Sequence, residues 1–311
     1  MASGGKGGLL LDTIMTMMVN AISLSSILLL SALGLSVTFG LMRVINMAHG
    51  EFLMIGAYTT FVVQNLFLTH VPKELFDLYF PVALIASFVV SAFIGIVLEA
   101  AVISRLYGRE IDSLLATWGV SLVLQQAARS IFGAPNVNIT APSFLNGVVY
   151  LGGAVLSIKR IFILLAAVCL LIVWFIMYRL PFSSQMRACI QNRDMAGCLG
   201  IQVRRMDRLT FAMGSGIAGL AGCALTLLGS VGPTLGGNYL VDAFMVVVLG
   251  GVGRLAGAVI GAAIIGISNT VIEFGTGASI AKALVLVLVI IFLQKMPQGL
   301  FSIRSRALDE N

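Results

Sequence analysis

An all-α polytopic membrane bundle is the fold class this sequence predicts, and three observations predict it. The 311 residues are 59% hydrophobic and only 10% charged, against roughly a quarter charged in soluble domains. Mean hydropathy is +1.04. The apolar residues come in continuous charge-free runs, not in the alternating segments of about ten residues that a barrel needs. This composition excludes a soluble enzyme, a secreted disulfide scaffold and a disordered chain. The net charge of +6 falls in a few loops, which is the pattern of membrane orientation and not of a nucleic-acid surface.

Taken in order, the runs give the spans, each needing about 20 residues to cross the hydrocarbon. Residues 13–42 are charge-free. Asn20 near the start predicts an interfacial piece ahead of the true span. Lys6 precedes this run without a small-residue cleavage site, so an uncleaved first span is expected. Residues 52–68 and 78–98 follow, the latter ending at Glu99. Residues 113–128 are a short fourth, extended by a snorkelling Arg129. Residues 161–178 and 209–229 are the fifth and sixth. Asp242 to Arg254 then encloses 11 residues and Arg254 to Glu273 encloses 18. Segments 241–253 and 255–272 are therefore expected as broken or re-entrant helices. A last stretch runs from Ala278 to Leu293, with Lys282 near its outer end. The total is about eight to nine membrane segments in a single domain covering 1–311.

Basic residues set the orientation. Arg179 to Arg208 contains six arginines and two aspartates. Arg105 and Arg109 mark a second loop, and Lys295, Arg304 and Arg306 the tail. All three belong in the cytoplasm. The N-terminus is then outside and the C-terminus cytoplasmic, in a bacterial inner membrane. The outer loop 134–153, rich in Asn, Pro and Gly, is expected to form a small cap or hairpin.

Motifs for chemistry on this chain are lacking. There is no GxxxxGK[ST], so ATP must be bound elsewhere. There are two histidines, no HExxH and no nucleophile–base set, so neither an enzyme nor a metal site is expected. Cys169, Cys189, Cys198 and Cys223 have neither CxxC spacing nor a nearby histidine and read as small apolar fillers. Gly253, Gly257 and Gly261 stand at four-residue spacing, as do Gly214, Ala218 and Gly222. Such spacing lets helix backbones approach closely in lipid.

Three places hold polar groups that lipid would penalise. Arg43 to Glu51 interrupts two apolar runs. Asn46 is expected to cap the next helix, Glu51 to sit in its first turn, and His49 with Gly50 to mark a tight break. The stretch Gly250–Arg254 is a second interruption on the same predicted side. Both are either structural turns or gates along a path. Glu99, Asp242 and Glu273 are acids near helix ends, read as intrachain ion pairs or as substrate contacts. Finally, the most basic loop contains Arg193-Asp194-Met195-Ala196, then Gly200-Ile201. That matches the acidic-x-Ala-x-x-x-Gly pattern of the coupling loop in ABC permeases. A short helix ending at glycine can dock into a groove of a cytoplasmic ATPase. The whole coupling loop is placed at about 180–208.

Ile45–Glu51 with Met54–Tyr58, Leu114–Ser121, Asn238–Phe244, Val248–Gly253 and Gln294–Phe301 resemble the permease family of branched-chain amino acid type ABC importers, and within it the urea-permease branch. The sequence departs from the urea pattern at Arg43, where a small residue is usual, and at Arg254, where Asn is usual. The resemblance implies alternating access driven by partners: a second permease subunit forming a heterodimer, two cytoplasmic ATPases carrying ATP and Mg, and a periplasmic substrate-binding protein. It implies urea or a short amide as cargo. Branched-chain amino acids are the near alternative, and a passive channel or secondary transporter is the alternative from another class. The few charges near the membrane read as helix ends, leaving no evident partners for an amino acid's fixed charges.

Overall fold

The computed structural model describes residues 4–42, 45–107, 109–151, 154–179, 181–253 and 255–301. Helices dominate. α1 (Gly4–Met42), α2 (His49–His70), α3 (Tyr79–Ala101), α4 (Glu110–Phe132) and α5 (Ile158–Arg179) precede two short helices, α6 (Pro181–Gln191) and α7 (Arg193–Cys198). α8 (Val203–Leu225), α9 (Leu235–Gly250), α10 (Leu255–Thr276) and α11 (Ala278–Lys295) complete the bundle. Six stretches, in α1, α2, α3, α8, α10 and α11, are long and apolar enough to cross a bilayer. α4 and α5, of 23 and 22 residues, have the length as well.

α1 is a single helix of 39 residues. The interfacial piece expected around Asn20 is therefore continuous in helix with the span that follows it. Asn20 accepts a hydrogen bond from the Arg160 guanidinium at the start of α5, so its polar group is satisfied on the helix flank and no backbone needs to be freed.

α8 is the hub. It packs against α1, α2 and α3, and its inner face is made of small residues. Gly214 lies on Gly34 and Thr38 of α1, Gly216 on the Phe88 ring, and Gly222 on the Leu53 carbonyl of α2. Without a hydrophobic force between helices in lipid, such backbone-to-backbone contact is what gains dispersion energy. Outward faces carry large apolar side chains instead, such as Ile85, Val89 and Phe93 on α3 and Leu284, Val287 and Ile291 on α11. Those faces are suited to lipid tails.

α9 and α10 form an antiparallel pair, with Gly250 against Gly257 and Val246 against Gly261. The interruption expected within 241–272 is the turn joining these two whole helices. Gly253 lies in that turn with φ +82 and touches Gly40. It therefore does not share a helical row with Gly257 and Gly261, because the left-handed residue ends the helical phase ahead of α10.

At the end of the bundle away from the basic loop, β1 (Val148–Leu151) and β2 (Ala154–Ser157) pair antiparallel, Val148 opposite Ser157. The cap reaches down to the helices: the Thr140 carbonyl accepts from Gln64 (3.0 Å) and Tyr79 (2.5 Å), and Val137 bridges Val231.

Candidate functional site: an inner polar turn, a basic loop and an outer pair of cavities

The start of α2 sits deep. His49 donates from Nε2 to the Ser31 carbonyl (3.3 Å), and Ser31 lies roughly 16 Å along α1 from its end at Met42. Asn46, His49 and Glu51 are all at most 1% exposed. The Glu51 Oε1 accepts from Ser121 and Gln125 of α4, each at 2.8 Å. The Met47 N–H donates to Thr117 of the same helix (3.1 Å). Opposite, the backbone of Gly50 meets that of Gly236 at the start of α9. Two helix N-termini thus face one another inside the bundle. Asn46 is not the N-cap expected from sequence. Ala48 holds that position without a side-chain bond, and Asn46 Oδ1 accepts from the Ala48 N–H (3.0 Å), a tight Asx turn closing on itself.

The two interrupting turns, expected on one side, differ in depth. The turn ending at Gly253 touches Gly40, close to the end of α1, whereas His49 also touches Gly34 farther in. α2 thus begins deeper along α1 than the point where α1 ends, which a linear reading of charge does not register. Arg43 and Arg254 lie outside the described residues. Asn46 Nδ2, His49 Nδ1, Glu51 Oε2 and the Tyr58 hydroxyl are buried with no hydrogen-bond partner among the described residues. Four such atoms, one in the turn before α2 and three within the helix, carry a desolvation cost.

The basic loop folds as α6 and α7. Asn192 caps α7, its Oδ1 accepting from the Met195 N–H (3.0 Å). Gly200, at φ +83, ends it, with the Ile201 N–H returning to the Ala196 carbonyl (3.1 Å). Only a residue free of a Cβ takes that conformation cheaply. Ala196 and Ile201 pack inward with Cys189 and Met206. Asp194 is exposed in the first turn. Met195 and Leu199 point out of the protein, 59% and 74% exposed. Arg193 holds α7 down: it pairs with Asp207 of α8 and stacks over the Tyr107 ring at 4.4 Å. Tyr107 donates to Glu99 Oε1 (3.3 Å), and Arg208 meets Glu99 Oε2 at 3.4 Å. Burial pushes the Tyr107 hydroxyl well above its ordinary range, with the Asp207 and Glu99 carboxylates adding to it, so the ring stays a neutral donor. Leu199, Asn192 and Tyr107 escape a motif reading, although an Asn just before a short acidic helix is a cap signal.

Toward the opposite end, Asp242 of α9 pairs with Lys282 of α11 at 2.9 Å. Glu273 accepts from Asn269 (3.4 Å). Two cavities open beside them, of about 480 and 190 Å³. Among the described residues no group of three or more His, Cys, Asp or Glu is placed to hold a metal ion.

Six helical stretches long and apolar enough to cross a bilayer, packed around a buried polar turn, give a polytopic helical membrane bundle. The profile of the family described as "Branched-chain amino acid transport system / permease component" matches residues 17–293, and the chain belongs to that family. It is 27% identical over 305 residues to the high-affinity branched-chain amino acid transport system permease protein LivH of Salmonella typhimurium, covering 91% of this chain and 94% of that one. It is 28% identical over 260 residues to BraD of Pseudomonas aeruginosa, with coverage of 81% and 84%. The probable branched-chain amino acid transport permease protein LivH of Methanocaldococcus jannaschii is 28% identical over 295 residues, 90% of each chain. No solved structure matches the chain.

Proposed function

We propose that this chain forms the membrane path of an ATP-driven importer whose cargo is a branched-chain amino acid. The observation that carries the reading is near full-length similarity to three permeases named for that cargo. It favours the amino-acid alternative over the urea cargo expected from sequence. The charge argument for urea also weakens. Asp242, Lys282 and Glu273 line one cavity, so fixed charges do have partners near the membrane, and the cost of dehydrating them falls when they are paired.

In this reading the whole chain is one permease domain with its N-terminus outside. It works beside a second permease, two cytoplasmic ATPases that bind ATP and Mg, and an external binding protein. α7 is the coupling helix, presenting Met195 and Leu199 to an ATPase groove. Arg193, Asp207, Tyr107, Glu99 and Arg208 then tie that helix to the ends of α3 and α8, so a displacement of α7 is passed to the hub. The turn at Asn46, His49 and Glu51 lines the path where α2 meets α9, and the turn at 251–254, including Arg254, gates its cytoplasmic end.

Uptake of labelled leucine and labelled urea by cells with and without this subunit tests the cargo, at low external concentration so that passive urea diffusion is small. Loss of leucine uptake with urea uptake intact is the expected result. Loss of urea uptake with leucine uptake intact overturns it.

A further inference from the structure

The two cavities at the end opposite the basic loop lie side by side. The outer one, about 480 Å³, is edged by Asn20, Ser23, Arg160, Thr270 and Glu273. The inner one is about 190 Å³. Leu24 and Glu273 belong to both walls, so the two cavities are neighbours on either side of the contact between α1 and α10. The inner cavity reaches Ile265, roughly 16 Å along α10 from its end at Thr276, and Met245 in the last turns of α9.

The inner cavity is divided by chemistry. Asp242, Lys282, Glu273 and Asn269 supply one part of its wall, the Tyr239 ring and Ala278 another, and aliphatic or thioether side chains, among them Ile265, Met245 and Val285, the rest. Its volume is well below the roughly 300–1,000 Å³ of drug-sized sites, which suits a single small molecule. Charges of both signs facing an aliphatic wall is the complement of a zwitterion with a branched side chain.

We propose that this inner cavity is an access subsite for one aliphatic amino acid. The ammonium sits on Asp242 and Glu273, the carboxylate on the Lys282 Nζ, and the side chain against Ile265, Met245 and Val285. The inference rests on the amino-acid reading above. The Asp242–Lys282 pair is its latch. The Lys282 side chain is 52% exposed and that of Asp242 only 11%, so the lysine swings on its flexible stem while the carboxylate stays in place. A zwitterion entering between them replaces one pair by two, and no charge is left buried alone. Urea, which is neutral, gives no reason for the pair to open. A bare carboxylate would approach two acids to reach one lysine.

The test uses the complete transporter in proteoliposomes, with its binding protein saturated by leucine or by valine, and compares complexes recovered at equal yield. Lys282→Met and Asp242→Asn should each lower leucine uptake about tenfold or more, the worth of one charge-assisted contact. The double exchange Asp242→Lys with Lys282→Asp keeps an ion pair but reverses it, and should assemble while failing to restore uptake. Leu24→Phe narrows the smaller cavity, whose wall Leu24 shares from a partly buried position, and should reduce leucine uptake more than valine uptake. Full recovery of uptake in the double exchange, or an unchanged leucine-to-valine ratio in Leu24→Phe, would overturn the subsite and leave the pair a structural staple. Absence of leucine uptake in the unaltered transporter overturns the cargo reading instead.

Discussion

Small residues decide the closest approaches in this protein, and each is a place where one methyl group is felt. Gly222 faces the Leu53 carbonyl, where an added Cβ would overlap backbone that cannot step aside. Gly222→Val should therefore cost about 1–3 kcal/mol or more through overpacking and lower the yield of folded protein at a given detergent and temperature. Gly119 on α4 has no atom within 4 Å of such a Cβ. Gly119→Ala should be neutral or stabilise by up to about 1 kcal/mol, since alanine is the better helix former. Thermal unfolding of the two variants side by side checks both. Equal midpoints would mean that the α2–α8 contact is looser than its geometry. Polar residues act at the same scale. Glu51 Oε1 is held by two donors from α4, while its Oε2 is buried with no hydrogen-bond partner among the described residues.

α7 is the element with the clearest division of labour. Its inner side, Ala196, joins the Cys189–Met206 cluster, while Met195 and Leu199 stay uncovered. Replacing Gly200 would disturb docking and backbone together, because its φ is positive. The outward side chains make a cleaner probe. Leu199→Ser with Met195→Ser should keep the Asn192 cap and the Arg193–Asp207 tie, yet reduce ATP hydrolysis stimulated by loaded binding protein by roughly five- to thirtyfold, as for removal of one buried anchor from an interface. Unchanged stimulation in an assembled complex would remove α7 from the coupling role.

Across the whole molecule, the basic loop and the paired cavities lie at opposite ends, since α5 runs from Arg160 at the outer cavity to Arg179 at the loop. Cys198 is an exposed thiol within that loop, whereas Cys189 is buried. Burial pushes the Cys189 thiol up from its ordinary value, leaving it mostly protonated and unreactive near neutral pH. A membrane-impermeant maleimide added to intact cells should therefore leave Cys198 untouched, and label it after permeabilisation. Labelling should fall when the ATPases are bound over α7. Reaction of Cys198 in intact cells would invert the topology.

The class of this protein and its membrane order follow from sequence alone. Charge-free runs long enough to cross a bilayer have few other solutions. The stop at Gly200 was legible too, since a left-handed C-terminus selects glycine for local steric reasons. Local pattern did not reach what depends on distant partners. Asn20 reads as an interfacial residue in sequence, and only the fold brings Arg160, 140 residues away, to satisfy it on the helix flank. Asp242, expected near a helix end, lies in the middle of α9, and of its two readings the intrachain ion pair is present, with Lys282 of α11, a partner only the fold identifies. The turn at Asn46 looked superficial until its contacts with Ser31 and Gly236 placed it inside. Burial, depth and ion pairing are properties of the packed bundle, and the energy of a polar group in lipid is set by which group from another helix lies within hydrogen-bonding reach.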